Sequence, residues 1–242
     1  PASNRLVSAW IPARERGIAN GLIFAGVGAG AGVTPRLITY VILNYGWRAS
    51  FLVSAFIGLI VGAIWFMIAR DTPDDHPWTA AEEREKIHAG LPDRERNQSA
   101  LPWAAILSQR NVWAITASYF CYGYVAYVFF SWFFKYLSSV RGLNLKSSSY
   151  YAMLPFLAMA ICSPVGGWLS DRIAVRHGER LGRCGVALVG MALAALFVGL
   201  GPGTKDARIA SIVLAGGAGA LYLSQSAFWS VTSTIGGKSA GS

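Results

Sequence analysis

Asp171 and Arg172 stand side by side at the end of a long uncharged stretch, in Gly166-Gly167-Trp168-Leu169-Ser170-Asp171-Arg172, and Arg176, Gly178, Arg180 and Arg183 follow. A carboxylate so placed can accept hydrogen bonds from the N-terminus of a neighbouring helix or pair with an arginine. The paired glycines let a second helix come close. This is the chemistry of a charge latch, with Asp171, Arg172 and Arg176 as its residues, holding two helices together until something competes for the contact. The plain alternative is a generic basic loop, and the Gly-x-x-x-Asp-Arg spacing favours the latch.

Two polar-aromatic stripes offer a binding chemistry. Tyr124, Tyr127 and Ser131 fall at i, i+3 and i+7 of one apolar segment, and Tyr222, Gln225, Ser226 and Trp229 form a second helical stripe. Polar groups in an apolar medium are costly unless they face protein or water. Two such stripes on facing helices suit a hydrated solute bearing carboxylate and hydroxyl groups. The plain alternative is hydroxyls bonded to neighbouring helices and aromatics used for packing. Arg36 is the one cation well inside an uncharged stretch. It either neutralises a carboxylate or snorkels to the nearer surface.

Enzyme chemistry finds little support. His76, His88 and His177 are isolated on polar segments, without a two-histidine metal spacing. Cys121, Cys162 and Cys184 match no zinc or disulfide framework and read as small apolar side chains. Gly26, Gly28, Gly30 and Gly32 mimic a dinucleotide fingerprint but lack the preceding strand and the acidic residue that fingerprint needs. Small residues at i and i+4 instead let one helix approach another. No cofactor, metal site, serine-hydrolase elbow or nucleophile–base pair is expected.

The elements that must position these residues are membrane helices. Of 242 residues, 54% are hydrophobic and only 14% charged, against about 25% charged in a soluble domain. The charges are confined to islands. Residues 49–69, 111–134, 147–170, 184–204 and 209–237 carry none, and 18–47 is interrupted only by Arg36. About 20 apolar residues cross the hydrocarbon core, and a chain in lipid must pair every backbone group internally. The expected spans are 18–42, 48–69, 113–135, 148–170, 184–202 and 209–232. The net charge of +9 is no mark of nucleic-acid binding, because the cations sit at span ends rather than on one face. With the N-terminus placed in the cytoplasm, 14 Lys and Arg fall inside and 6 outside, which fixes the orientation.

The polar insert 70–112 reads as a linker. Asp71-Thr72-Pro73 stops a helix, Thr79-Ala80-Ala81-Glu82 reads as a capping box opening a short amphipathic helix to about Ala89, and Leu101 to Asn111 as a second, interfacial helix. Two spans before this linker and four after it are lopsided, so both ends of the natural protein are expected to be missing.

Several segments carry a family resemblance. The loop at Gly166–Arg172 resembles the signature loop between helices eight and nine of the major facilitator superfamily. Pro12-Ala13-Arg14-Glu15-Arg16-Gly17-Ile18-Ala19 resembles the loop before helix five, and Gly46-Trp47-Arg48-Ala49-Ser50-Phe51 the turn before helix six. Trp132-Phe133-Phe134-Lys135-Tyr136-Leu137 with Arg141-Gly142-Leu143 is similar to the outer end of helix seven. Four motifs in order point to the anion:cation symporter branch, whose members carry sugar acids and similar carboxylates.

The resemblance implies an all-α membrane protein holding helices five to ten of a twelve-helix, two-bundle fold, with the substrate between the bundles. Residues 1–69 would close the N-terminal bundle, 70–112 link the bundles in the cytoplasm, and 113–242 open the C-terminal bundle. Ser226 and Trp229 match positions similar to substrate contacts, and Arg36 departs from the usual uncharged residue. The implied activity is alternating-access symport of a small organic anion across the cell membrane. The coupling proton or cation is implied by resemblance alone, since no Asp or Glu lies inside a span. The expected partners are the anion, the coupling ion and the bilayer, with no nucleic acid. A carrier of neutral or cationic solutes, a channel, a membrane enzyme and an inactive truncated product are the alternatives.

Overall fold

The computed structural model describes residues 6–7, 9–12, 15–90 and 107–236. Eight helices carry the argument: α1 Arg16–Tyr45, α2 Trp47–Ile68, α3 Ala81–Gly90, α4 Arg110–Ser131, α5 Leu145–His177, α6 Val186–Leu200, α7 Ala207–Leu223 and α8 Gln225–Gly236. Among the described residues six helical spans, with α7 and α8 counted as one, are long and apolar enough to cross a membrane. α2 shows most plainly that water is not the solvent. None of its residues is buried, and Leu52, Leu59 and Phe66 are 74%, 73% and 84% exposed. A helix apolar on every side is stable only in lipid or in a large core.

The expected spans 18–42 and 148–170 sit inside α1 and α5, which run on because backbone pairing continues into the polar islands, whereas 48–69, 113–135 and 184–202 overrun the ends of α2, α4 and α6. Two departures stand out. The segment expected as one helix over 209–232 is broken at Ser224, between α7 and α8. α4 is followed by the single turn Phe133–Lys135 and a π-helical turn over Tyr136–Val140. Arg141 closes that end. Its guanidinium donates to the Tyr136 hydroxyl at 2.6 Å and to the carbonyls of Thr204, Gly201 and Pro202 at 2.7, 3.3 and 3.3 Å.

α7 is the central helix. Ala210, Ala218, Leu221 and Tyr222 are almost wholly buried. α4 turns Tyr122, Ala126 and Phe129 towards this core, and the turn after it adds Phe133.

α1 lies antiparallel along α5, and glycines set the distance. A Cβ on Gly17 would overlap the Asp171 carboxylate, on Gly21 the Ser163–Pro164 backbone, and on Gly28 the Phe156 carbonyl. A Cβ on Gly167 would overlap the Gly17 carbonyl. Gly28 and Gly32 therefore do what the i, i+4 spacing suggests, whereas Gly26 and Gly30 face open space.

In the linker, α3 starts after Ala80, whose carbonyl accepts from Glu83 and Arg84, with Glu82 and Glu83 in the first turn where acidic groups offset the helix dipole. The expected helix over 101–111 lies mostly outside the described residues. His76 is not simply solvated as expected. Its ring packs edge-on at 5.5 Å from both Trp10 and Trp78, and His88 Nε2 lies 3.2 Å from Asp74 Oδ1. Cys121 and Cys184 are exposed, and Cys184 borders an open cleft with Ala114 and Ser118 of α4 and Leu188 of α6.

Candidate functional site

α1 has no cap of its own. Glu15 occupies the N-cap position and makes no side-chain capping bond, so the first N–H groups of a 30-residue helix need a partner from elsewhere. Asp171 supplies it from the end of α5. Its Oδ2 accepts from the Ile18 N–H at 2.8 Å. The carboxylate thus meets both an unpaired donor and the positive end of the α1 dipole.

Arg183 stands on the other side of Asp171. It comes from a π-helical segment, Arg180–Gly185, that leads into α6. Its guanidinium nitrogen is 3.6 Å from Asp171 Oδ1, with the two side chains only 5% and 11% exposed. That separation makes an ion pair rather than a hydrogen bond. Gly182 closes this hairpin, since a Cβ there would overlap Ala174.

The other two expected latch residues border the same cleft as Asp171 without the ion pair that Arg183 makes. Arg172 is exposed and lies over the Trp168 ring at 5.2 Å. Arg176 is exposed and borders, with Glu15 and Trp168, the cleft around Asp171. Arg183 takes the place expected of them. Its twelve-residue separation from Asp171 gives no periodic signal, and only the hairpin with its widened π turn brings the two together.

A second cluster gathers at the break between α7 and α8. Ser163 of α5 donates to the Tyr222 carbonyl at 3.5 Å, and Ser224 turns its hydroxyl back onto the Leu221 carbonyl. Gly166 lies so close that a Cβ would overlap the Leu223 carbonyl. Around this break Gln225 is 4% exposed, Ser226 0% and Tyr222 1%. Gln225 Oε1 and the hydroxyls of Ser226, Tyr222 and Tyr122 have no partner among the described residues. Trp229 donates from Nε1 to the Tyr119 hydroxyl at 3.2 Å and packs at 5.9 Å against Phe24 of α1. Tyr119 in turn stacks on Tyr122 at 5.4 Å.

The structure therefore brings Gln225, Ser226 and Trp229 together but not with Tyr124, Tyr127 and Ser131. Tyr124 and Tyr127 are each 70% exposed, and Ser131 is exposed too. Tyr124 borders an apolar groove with Val128, Trp132, Val198 and Leu214. The α4 residues that meet α8 are Tyr119 and Tyr122, a pair with the same three-residue spacing, turned to a different face. Sequence reasoning missed both, because periodicity identifies a stripe without saying which neighbour it faces. Arg36 lies over the Tyr150 ring of α5, 4.3 Å from its centroid.

Among the described residues no group of three His, Cys, Asp or Glu could hold a metal. The cluster holds buried polar groups without partners among the described residues, and the latch is a breakable contact between helices.

Comparison with known proteins gives the family. The chain is 33% identical to the probable sulfoacetate transporter SauU of Cupriavidus necator, over all of this chain and 56% of that protein. It is 33% identical to a chloroplastic ascorbate transporter of Arabidopsis thaliana, over 73% of this chain and 32% of that protein. It is 25% identical to the hexuronate transporter of Bacillus subtilis, over 96% of this chain and 54% of that protein. The chain spans about half the length, or less, of these curated relatives. The sequence pattern of the Major Facilitator Superfamily matches residues 1–242 in full. With six apolar spans packed around glycine-lined contacts, the chain belongs to the Major Facilitator Superfamily and forms a multi-pass, all-helical part of that fold.

Proposed function

We propose that this chain is part of a secondary transporter that carries a small organic anion, a sugar acid or another carboxylate, across the cell membrane by alternating access. Asp171 capping α1 from α5 is the observation that carries the reading. The contact joins a helix before the 70–112 linker to one after it, and both helices can separate there without losing internal hydrogen bonds. Such a contact suits the closed face of a carrier whose two bundles rock about a central site. In this reading residues 1–69 belong to one bundle, 113–242 to the other, and the Asp171 end is cytoplasmic.

The anion is the substrate class because the relatives are named for sulfoacetate, ascorbate and hexuronate. At the break between α7 and α8 Ser226 presents an unpartnered hydroxyl and Gln225 its side-chain amide, Trp229 shares its indole N–H with Tyr119, and Arg36 presents the charge. On this reading Tyr124, Tyr127 and Ser131, exposed on another face of α4, extend the path. Asp171, Arg172 and Arg176, joined by Arg183, form the gate. Coupling to a proton or cation rests on resemblance to the anion:cation symporter branch.

The test is uptake of radiolabelled sulfoacetate and glucuronate into proteoliposomes holding the complete protein. Saturable uptake that other organic anions inhibit and neutral hexoses do not is the expected result. Saturable uptake of a neutral or cationic solute, untouched by organic anions, would overturn the reading.

A further inference from the structure

Arg36 is one turn beyond Gly32 on the α1 face that packs against α5, and about 14 Å of helix separates it from the end of α1 at Tyr45. A cation at that depth calls for a partner. Among the described residues Arg36 has neither an ion pair nor a hydrogen bond. The described acidic group at this end, Asp206, is already engaged in capping α7 through the N–H groups of Arg208 and Ile209. What Arg36 has is Tyr150, on the second turn of α5, with the guanidinium carbon 4.3 Å from the ring centroid.

Two other arginines of this end behave differently. Arg48 lies over its own neighbour Trp47, and Arg141 spends its donors on three carbonyls and a phenol. Arg36 reaches across to a residue 114 positions away, on another helix, with its N–H donors free among the described residues.

We infer that Tyr150, 46% exposed, is a positioning residue, and that its ring holds the half-buried Arg36 guanidinium at the open edge of the contact between α1 and α5, ready for an anion. The inference rests on the anion-transport reading of Arg36. The guanidinium leans towards the nearer surface, as a long arginine side chain at this depth does, because Tyr150 lies only five residues from the start of α5. Attraction to the ring face fixes it there without consuming hydrogen-bond donors, so the planar donor fork remains available for bidentate contact with a carboxylate or sulfonate. An anion arriving in the interface therefore meets a pre-placed charge.

The test compares Tyr150→Phe and Tyr150→Leu in the complete protein, reconstituted in proteoliposomes and assayed for uptake of radiolabelled sulfoacetate. The leucine variant should raise KM about fivefold with Vmax within about twofold, and the phenylalanine variant, which keeps the ring face, should stay within about twofold on both. In an Arg36→Ala background, Tyr150→Leu should add no further change in KM. An unchanged KM in Tyr150→Leu overturns the inference, as does an equal rise with and without Arg36. If Arg36→Ala alone leaves KM unchanged, Arg36 is no substrate cation, and the inference falls while anion transport stands. If the wild-type protein takes up no organic anion, both fall. Should Tyr150→Leu fail to reach the membrane, Tyr150→Met carries the same test.

Discussion

The Asp171 carboxylate and the Ile18 N–H are 153 residues apart in sequence and 2.8 Å apart in space. An N-cap of this kind is worth about 1 kcal/mol, with a charged group at the helix end adding a few tenths or more. That is enough to shift a two-state balance roughly fivefold and too little to hold a membrane protein together. Asp171→Asn keeps the shape and loses the charge, so it should lower Vmax for organic-anion uptake several-fold while the protein still reaches the membrane in normal amounts. Uptake assays beside quantified membrane levels check this, and unaltered kinetics would sink the latch.

Gly166 faces the Leu223 carbonyl with no space between them. Gly166→Ala must push α5 away from the break between α7 and α8, and overpacking of this kind costs about 1–3 kcal/mol. The thermal midpoint of the detergent-solubilised complete protein should fall by several degrees. Gly58→Ala, on a face of α2 with nothing within 4 Å, should leave it unchanged.

Trp229 and Tyr119 are joined at 3.2 Å. Removing the phenol in Tyr119→Phe frees the indole to turn, at a cost of about 1 kcal/mol for one hydrogen bond. If Trp229 lines the path, KM for the transported anion rises several-fold while thermal stability moves little. Matched measurements of both quantities separate a binding role from packing.

Arg141 ties the π turn after α4 to the carbonyls that end α6, where a cation also suits the helix dipole. Arg141→Lys cannot reproduce that fork. It should lower the thermal midpoint through the loss of about 1–3 kcal/mol in charge-assisted bonds, with KM unchanged.

The spans were legible because lipid excludes charge, and exclusion leaves a mark at every residue. Leu52 to Ile68 could hardly be read otherwise. The Asp171 motif was legible as a helix end with something to hold. Its partner was not, since the need for a cap at Ile18 shows only once Glu15 fails to provide one. Tyr119 and Tyr122 share the spacing of Tyr124 and Tyr127 on the same helix, and the choice between the stripes belongs to α8, which packs on one of them. The break at Ser224 has no proline or glycine within it. Gly166, whose missing Cβ leaves room for the Leu223 carbonyl at the break, sits on another helix, so no local pattern could announce that contact.

The central claim is a carrier with one site exposed alternately to the two sides, and trans-stimulation tests it most directly. Proteoliposomes of the complete protein, preloaded with unlabelled sulfoacetate or glucuronate, are compared with empty ones for initial uptake of the labelled anion. The account predicts faster uptake into the preloaded vesicles, with the stimulation reduced in Asp171→Asn. Uptake that is indifferent to the internal anion and rises without saturation would contradict it.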